Sequence, residues 1–249
     1  MDVDQIYCGD CLEVMGGIES GSIDMVLCDL PYGTTQNKWD LPIGLSALWT
    51  HYKNICKPTA AIVLTASQPF TSMLVMSNLD WFKHEWIWIK NRGSNFANTV
   101  REPFKEHESV LVFSAGQWTY NKQMQERTGG GLERVQYDFN TLTKSTNYRE
   151  FERPPPPQGE LRVPSSWQKF NTEVGQHPTQ KPVPLFEYLI RTYSNEGDLI
   201  LDNCIGSGTT GVAAIRAKRH FIGIDNSEDY CTIARERVKW EQASSLTLF

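Results

Sequence analysis

The 249-residue sequence lacks any long apolar run; the longest uninterrupted one, Ala60–Leu64, is five residues and far too short to span a bilayer. It also lacks an excess of basic charge, with a formal net charge of −5, which excludes a protein uniformly coated with Lys and Arg. The opening Met1-Asp2-Val3-Asp4 is acidic and has no apolar leader core, so a cytoplasmic protein is expected. Cysteines are few for the length, six in all, and without a signal segment they read as reduced thiols. Cys8-Gly9-Asp10-Cys11 has the spacing of half a zinc site, but no second CxxC or HxxxH follows, so no metal is expected.

What is present is unevenly distributed. Residues 1–82 hold 3 Lys/Arg against 9 Asp/Glu, residues 83–176 hold 13 against 11, and residues 177–249 hold 8 against 9. Only the middle third is net positive, and it carries Gly129-Gly130-Gly131, Pro154 to Pro157 and scattered Trp and Tyr. Gly and Pro at that density punctuate loops and short strands. Composition alone does not separate a plain surface insertion from a segment whose Arg and aromatic side chains meet a polyanion.

The flanks alternate strands and helices, the pattern of a sheet covered on both faces. Strands are expected at Met25–Cys28, Ala60–Leu64, His84–Lys90, Ser109–Phe113, Leu199–Leu201 and Phe221–Ile224. Helices are expected at Phe70–Asn78, Pro184–Tyr193, Thr209–Ala217 and Ser227–Trp240. Leu185, Phe186, Leu189, Ile190 and Tyr193 share one helical face.

Two constellations carry chemistry. In the first, a strand ends at Asp202, runs through Asn203, Cys204, Gly206, Ser207 and Gly208, and enters a helix at Thr209, with Gly211 completing the glycine set. Glycines permit the tight turn and let backbone N–H groups approach a ligand. Asp225 ends the next strand, where a carboxylate can take both hydroxyls of a ribose. Read literally this is also a dinucleotide fingerprint. Against that, only 38 residues follow Gly211, and Asp202 would repel a pyrophosphate while suiting a ligand with an ammonium group. In the second constellation, Asp29-Leu30-Pro31-Tyr32-Gly33 follows a buried strand directly, at the strand end where open α/β sheets bind ligands.

At these residues the chain resembles the amino-methylating DNA methyltransferases. Asp29-Leu30-Pro31-Tyr32 is similar to their catalytic (D/N/S)PPY motif, Asp202–Gly208 to their cofactor motif, and His177-Pro178-Thr179-Gln180-Lys181-Pro182 to the segment before it. Catalytic motif before cofactor motif, with a recognition region between, is the order of the β group. Phe70, Trp86–Lys90, His107-Glu108 and Tyr193–Asp198 resemble phage and prophage adenine methylases. The resemblance covers nearly all of residues 5–240 and is weakest between 116 and 165. Leu30 departs from the usual proline.

The resemblance implies a Rossmann-like S-adenosylmethionine-dependent α/β fold, mostly parallel with helices on both faces, as a single catalytic domain over 1–249 with a target-recognition insertion at 116–176. It implies methyl transfer from S-adenosylmethionine to N6 of an adenine flipped out of double-stranded DNA, in a bacterial or phage-infected cell, as part of restriction-modification, with a homodimer allowed. Asp29 and the Leu30 carbonyl would accept the two amino hydrogens, Pro31 would fix the loop and Tyr32 would stack on the base. On the donor side it implies Asp10 near the adenine, Asp225 on the ribose, Asp202 near the ammonium group and Lys181 at the carboxylate. Asn203, Cys204, Gly206, Ser207, Gly208 and Thr209 would form the surrounding turn. Arg127, Arg134, Lys144, Arg149, Arg153 and Arg162 are the candidate DNA contacts. Competing readings are an N4-cytosine methyltransferase of the same fold, an NAD-linked oxidoreductase and a catalytically silent DNA-binding module.

Overall fold

In the computed structural model, which describes residues 1–33, 42–127, 160–173 and 180–246, the alternating pattern becomes a mixed, mostly parallel α/β sheet. The strands are β1 (Gln5–Cys8), β2 (Ile23–Asp29), β3 (Cys56–Ala66), β4 (Phe82–Ile89), β5 (His107–Phe113), β6 (Gln125–Glu126), β7 (Leu161–Arg162), β8 (Trp167–Lys169), β9 (Leu199–Asp202) and β10 (His220–Asp225). The helices are α1 (Cys11–Met15), α2 (Leu45–Ile55), α3 (Phe70–Ser77), α4 (Val183–Tyr193), α5 (Thr209–Arg216) and α6 (Glu228–Leu246). Eight strands form one sheet in the order β1-β10-β9-β2-β3-β5-β4-β8, in which only β5 runs against its neighbours.

The apolar runs form strands because both faces of the sheet are covered, so successive side chains on opposite faces must all be apolar. Met25 and Leu27 of β2, Ala61 and Val63 of β3, and Val110 and Val112 of β5 face one core, shared with α4, α5 and α6. Their neighbours Val26, Cys28, Ile62, Leu64, Leu111 and Phe113 face the other, shared with α1, α2 and α3. A register irregularity between Ile23 and Met25 shifts the alternation, so Ile23 joins the second core. Phe186 and Leu189 of α4 are almost wholly buried in the first core; truncating such a side chain costs about 2–5 kcal/mol.

The described residues fall into two compact units, Met1–Asn121 with Ser166–Phe249, and Lys122–Ser165. The second is narrower than the expected insertion at 116–176 for a visible reason. The backbone N–H of Asn121 donates to the Thr192 carbonyl at 2.7 Å, and β8 pairs with β4, so both flanks belong to the sheet unit. Within the second unit, β6 and β7 form a short antiparallel pair, Gln125 opposite Arg162. No helix among the described residues is long and apolar enough to cross a membrane.

Candidate active site

Parallel pairing of β9 with β2 sets Met25 opposite Ile200 and Val26 opposite Leu201, so both strands end at the same edge of the sheet. Asp29 closes one strand and Asp202 the other. β10 and β1 continue that edge, and the Gly9 N–H donates to the Asp225 carbonyl at 2.9 Å. A cleft of about 710 Å³ opens along these tips. Asp10, Asp202, Asn203, Cys204, Gly206, Ser207, Thr209 and Asp225 line it together with Asp29, Leu30, Pro31, Tyr32 and Lys181. Two segments that the chain separates by more than 150 residues therefore share one cavity.

The Gly206 side of the cleft is held by backbone donors. Asp225 accepts from the Gly206 N–H through Oδ2 and from the Ser227 N–H through Oδ1, both at 2.9 Å. Asp10 caps α1 through one oxygen, accepting from the Leu12 N–H at 2.8 Å and the Glu13 N–H at 3.3 Å. Asp202 is buried; Oδ1 accepts from the Cys204 N–H at 3.0 Å and Oδ2 from the Thr210 hydroxyl. Burial pushes its carboxyl from 3.8 up to about 7, although the Thr210 and Cys204 hydrogen bonds pull the other way. Gly206 has φ 51°, and nothing lies within 4 Å of where a Cβ would stand, so the glycine serves a left-handed turn beside open space.

Gly208 sits one residue further along the same turn. Its neighbours Ser207 and Thr209 line the cleft. Its φ is 89°, and a Cβ there would meet Ala234 at 3.0 Å, so it permits the first turn of α5 to pack on α6. Asn203 turns its amide oxygen to the Tyr52 hydroxyl, and Ser207 donates to Gln180 Oε1 at 3.0 Å. Cys204 and Cys11 both line the cleft as thiols; hydrogen bonding to Cys204 and burial push Cys11 up, whereas Cys204, against the opposing pull of Cys11, is pushed up by hydrogen bonding with Cys28 and by burial.

The Asp29 side is held by charge. Lys181 Nζ donates to Asp29 Oδ2 at 2.6 Å and lies 3.3 Å from Glu108 Oε2. Lys90 in turn donates to Glu108 Oε1. Lys90–Glu108–Lys181–Asp29 is thus a chain of alternating charge, with side-chain exposures of 6, 13, 8 and 25%. Burial alone would lower the Lys181 ammonium, but the Asp29 and Glu108 carboxylates outweigh it and hold its pKa above the ordinary value. Burial likewise pushes Glu108 up, while Lys181 and Lys90 bring it below the usual carboxylate range. Lys181, expected at the donor's carboxylate, instead has its ammonium on two protein carboxylates.

The other Asp29 oxygen accepts from Tyr32, whose hydroxyl lies 2.8 Å away, and from Thr65; that hydroxyl also lies 3.0 Å from Thr65 Oγ1. Thr65 sits opposite Asp29 in the β2–β3 register. The Tyr32 ring stacks on Phe70, with centroids 5.3 Å apart at 23°. Each carboxylate oxygen can accept two hydrogen bonds, so Oδ2 keeps one acceptor position beside Lys181. Leu30 is buried among the core residues of the α2–α3 face.

Thr65 escapes a reading by motif, because strand register and not sequence proximity places it at Asp29; Glu108, part of the His107-Glu108 resemblance, is brought there by Lys181. Asn226 and Tyr230 also line the cleft and were not singled out. Among the expected DNA contacts, Arg127 and Arg162 lie in the second unit, where the Arg127 N–H donates to the Glu160 carbonyl at 2.7 Å. Arg134, Lys144, Arg149 and Arg153 lie outside the described residues.

A family model described as DNA methylase, of the N6/N4 type, matches residues 23–236. The chain is 26% identical to Type II methyltransferase M.HpaI of Haemophilus parainfluenzae over 95% of its own length and 74% of that protein. It is 27% identical to the DNA adenine methyltransferase YhdJ of Escherichia coli (strain K12), over 92% of this chain and 81% of that one. Among solved structures it is similar in fold to an M1.HpyAVI–SAM complex, at TM-score 0.63 and 23% identity, covering 94% of this chain and 98% of that one. It is also similar in fold to the PvuII cytosine-N4-specific DNA methyltransferase, at TM-score 0.64 and 17% identity, covering 97% and 92%.

Proposed function

Because the chain belongs to the N6/N4 DNA methylase family, we propose that it transfers a methyl group from S-adenosylmethionine to N6 of an adenine extruded from double-stranded DNA. We place it in the β group on the order of its motifs. The observation that carries this reading is the shared cleft, with an ion-paired acid at one strand tip and a glycine turn flanked by acids at the neighbouring ones.

The donor fits the residues present. Asp202 is a buried acid whose hydrogen bonds, among the described residues, come from neutral donors, which suits an ammonium group. Asp225 keeps one acceptor position on each oxygen beyond its backbone bonds, which suits a pair of hydroxyls. Asp10 keeps its second oxygen clear of the cap bonds. When bound, the donor supplies an electrophilic methyl group on a sulfonium.

The exocyclic amine of adenine is a poor nucleophile because its lone pair is delocalised into the ring. Asp29 Oδ2 accepts one N6–H and the Leu30 carbonyl the other, which concentrates electron density on nitrogen and orients it for in-line attack. Lys181 fixes the plane of the Asp29 carboxylate through its hydrogen bond to Oδ2. Tyr32, braced on Phe70, provides the stacking surface for the base. The methylated N6 cation is strongly acidic, so the neighbouring carboxylate suffices to take its proton.

Asp at position 29 and the similarity to an adenine methyltransferase favour adenine; the PvuII enzyme marks N4 of cytosine as the alternative on the same fold. Mass spectrometry of nucleosides from DNA of cells expressing the protein tests this: N6-methyladenine above background is expected. N4-methylcytosine would transfer the reading to cytosine, and neither product would remove it.

A further inference from the structure

The connection between β4 and β5, residues 90–106, stands at the rim of the cleft, where Ser94 and Lys105 help to line it. Its tip is chemically odd for a solvated loop. Phe96 and Val100 are 82% and 86% exposed, and Phe104 is 45% exposed. Isolated apolar side chains on a surface need no explanation, but a cluster beside a binding cleft does. The flanking residues are cationic: exposed Arg92 and Arg101, and Lys105 on the cleft wall, against Glu102 and Glu106.

The loop is also held in shape. Asn95 crosses its neck, donating from Nδ2 to the Pro103 carbonyl at 3.0 Å and accepting from the Lys105 N–H at 2.7 Å. The Ser94 N–H donates to the Lys105 carbonyl at 3.1 Å. Phe104 covers Gly93 so closely that a Cβ there would stand 2.6 Å from its ring. A single 3-10 turn, Phe96–Asn98, carries the tip, with the Arg101 N–H returning to the Asn98 carbonyl at 2.9 Å. A braced scaffold that holds two large apolar side chains in water has lost their burial without gaining flexibility. That arrangement suits insertion into a partner with an apolar interior and an anionic exterior. A DNA duplex has a stacked, apolar interior between phosphates, and proteins open it with such wedges.

Resting on the reading of the cleft as a site for an extruded base, we propose that Phe96 and Val100 form a wedge. They enter the duplex where the target adenine leaves, while Arg92 and Arg101 meet the flanking phosphates. The wedge fills the gap in the stack, and so lowers the cost of keeping the base in the cleft. Residues 90 and 108 bracket the loop, and both belong to the charge chain that ends at Asp29.

The test begins by mapping the methylated sequence in DNA from expressing cells, then building two duplexes on it. One is fully paired; in the other the target adenine faces a second adenine, so that it is already loosened. Phe96→Ala with Val100→Ser is expected to slow methylation of the paired duplex about tenfold or more, because the gap left by the base is no longer filled. The mismatched duplex is expected to stay within about twofold of the unsubstituted protein, because its base is already cheap to extrude. Unchanged methylation of the paired duplex, or equal loss on both, would overturn the wedge. If the unsubstituted protein leaves no methylated sequence at all, the DNA reading itself fails and the wedge falls with it.

Discussion

The two halves of the cleft hold their acids in opposite ways. Around Asp29, every buried charge has an opposite neighbour: Lys181 answers Asp29, Glu108 answers Lys181, and Lys90 answers Glu108. Around Asp202 and Asp225, the oxygens meet neutral N–H and O–H donors, and the buried acid is driven up to about 7. A half whose charges are already balanced is suited to a neutral ligand, since a further ion would unbalance it. A half with an unanswered acid is suited to a cation. A neutral adenine amine and a cationic sulfonium donor divide along that line, which the proposed chemistry requires.

That contrast breaks first at Asp29. Replacing it with alanine is expected to lower methyl transfer about 10²–10⁴-fold, the range for a group acting on the reacting proton. Transfer at the unsubstituted rate, measured with radiolabelled donor, would remove Asp29 from the mechanism. The next largest effect concerns stability. Lys181→Met leaves Asp29 without its cation, while Glu108 keeps Lys90, and a loss of about 2–4 kcal/mol is expected in urea melts, discounted for the partial exposure of Asp29. Adding Glu108→Gln to that variant is expected to deepen the loss, because buried Lys90 then also loses its carboxylate. An unaltered melt in Lys181→Met would mean the charge chain does not hold the target half together. On the donor side, Asp225→Ala is expected to weaken donor binding about tenfold, as for loss of one or two hydrogen bonds to a charged group. Calorimetry showing the same affinity would displace the ribose assignment.

Much of this fold could be read from the chain. The strands at residues 25–28, 60–64 and 221–224 are apolar on both faces; the first and last grow by two or three residues in the structure, and the middle one doubles to Cys56–Ala66. α2 is not among the expected helices, although Leu48, Trp49, Tyr52 and Ile55 lie on one helical face in the spacing that marks an amphipathic helix. The reversal of β5 had no local signal, because strand direction is set by partners and not by the strand's own residues. Within the site, the glycine turn and the Asp29–Tyr32 segment were legible as motifs, since local backbone demands fix their residue types. The engagement of Lys181 with Asp29, across 152 residues, was not. Neither residue type nor spacing reports which of two nearby carboxylates a buried ammonium will choose. The packing of Gly208 on Ala234 was not legible either, because a glycine needed for helix packing looks the same in sequence as one needed for a ligand.

Proton linkage at Asp202 probes the asymmetry with the smallest signal. Folding raises this carboxyl from 3.8 to about 7, so the native chain binds more protons than the unfolded one between those values. This group therefore takes stability away as pH climbs from about 4 to about 7. An ammonium group arriving beside it would restore its ionisation. The decisive measurement is calorimetry of S-adenosylmethionine binding at pH 7 in two buffers of different ionisation enthalpy. The account predicts release of about half a proton per donor bound, with affinity rising as pH climbs toward 8. No proton released, in a protein that still binds the donor, would contradict the claim that the donor half waits for a cation.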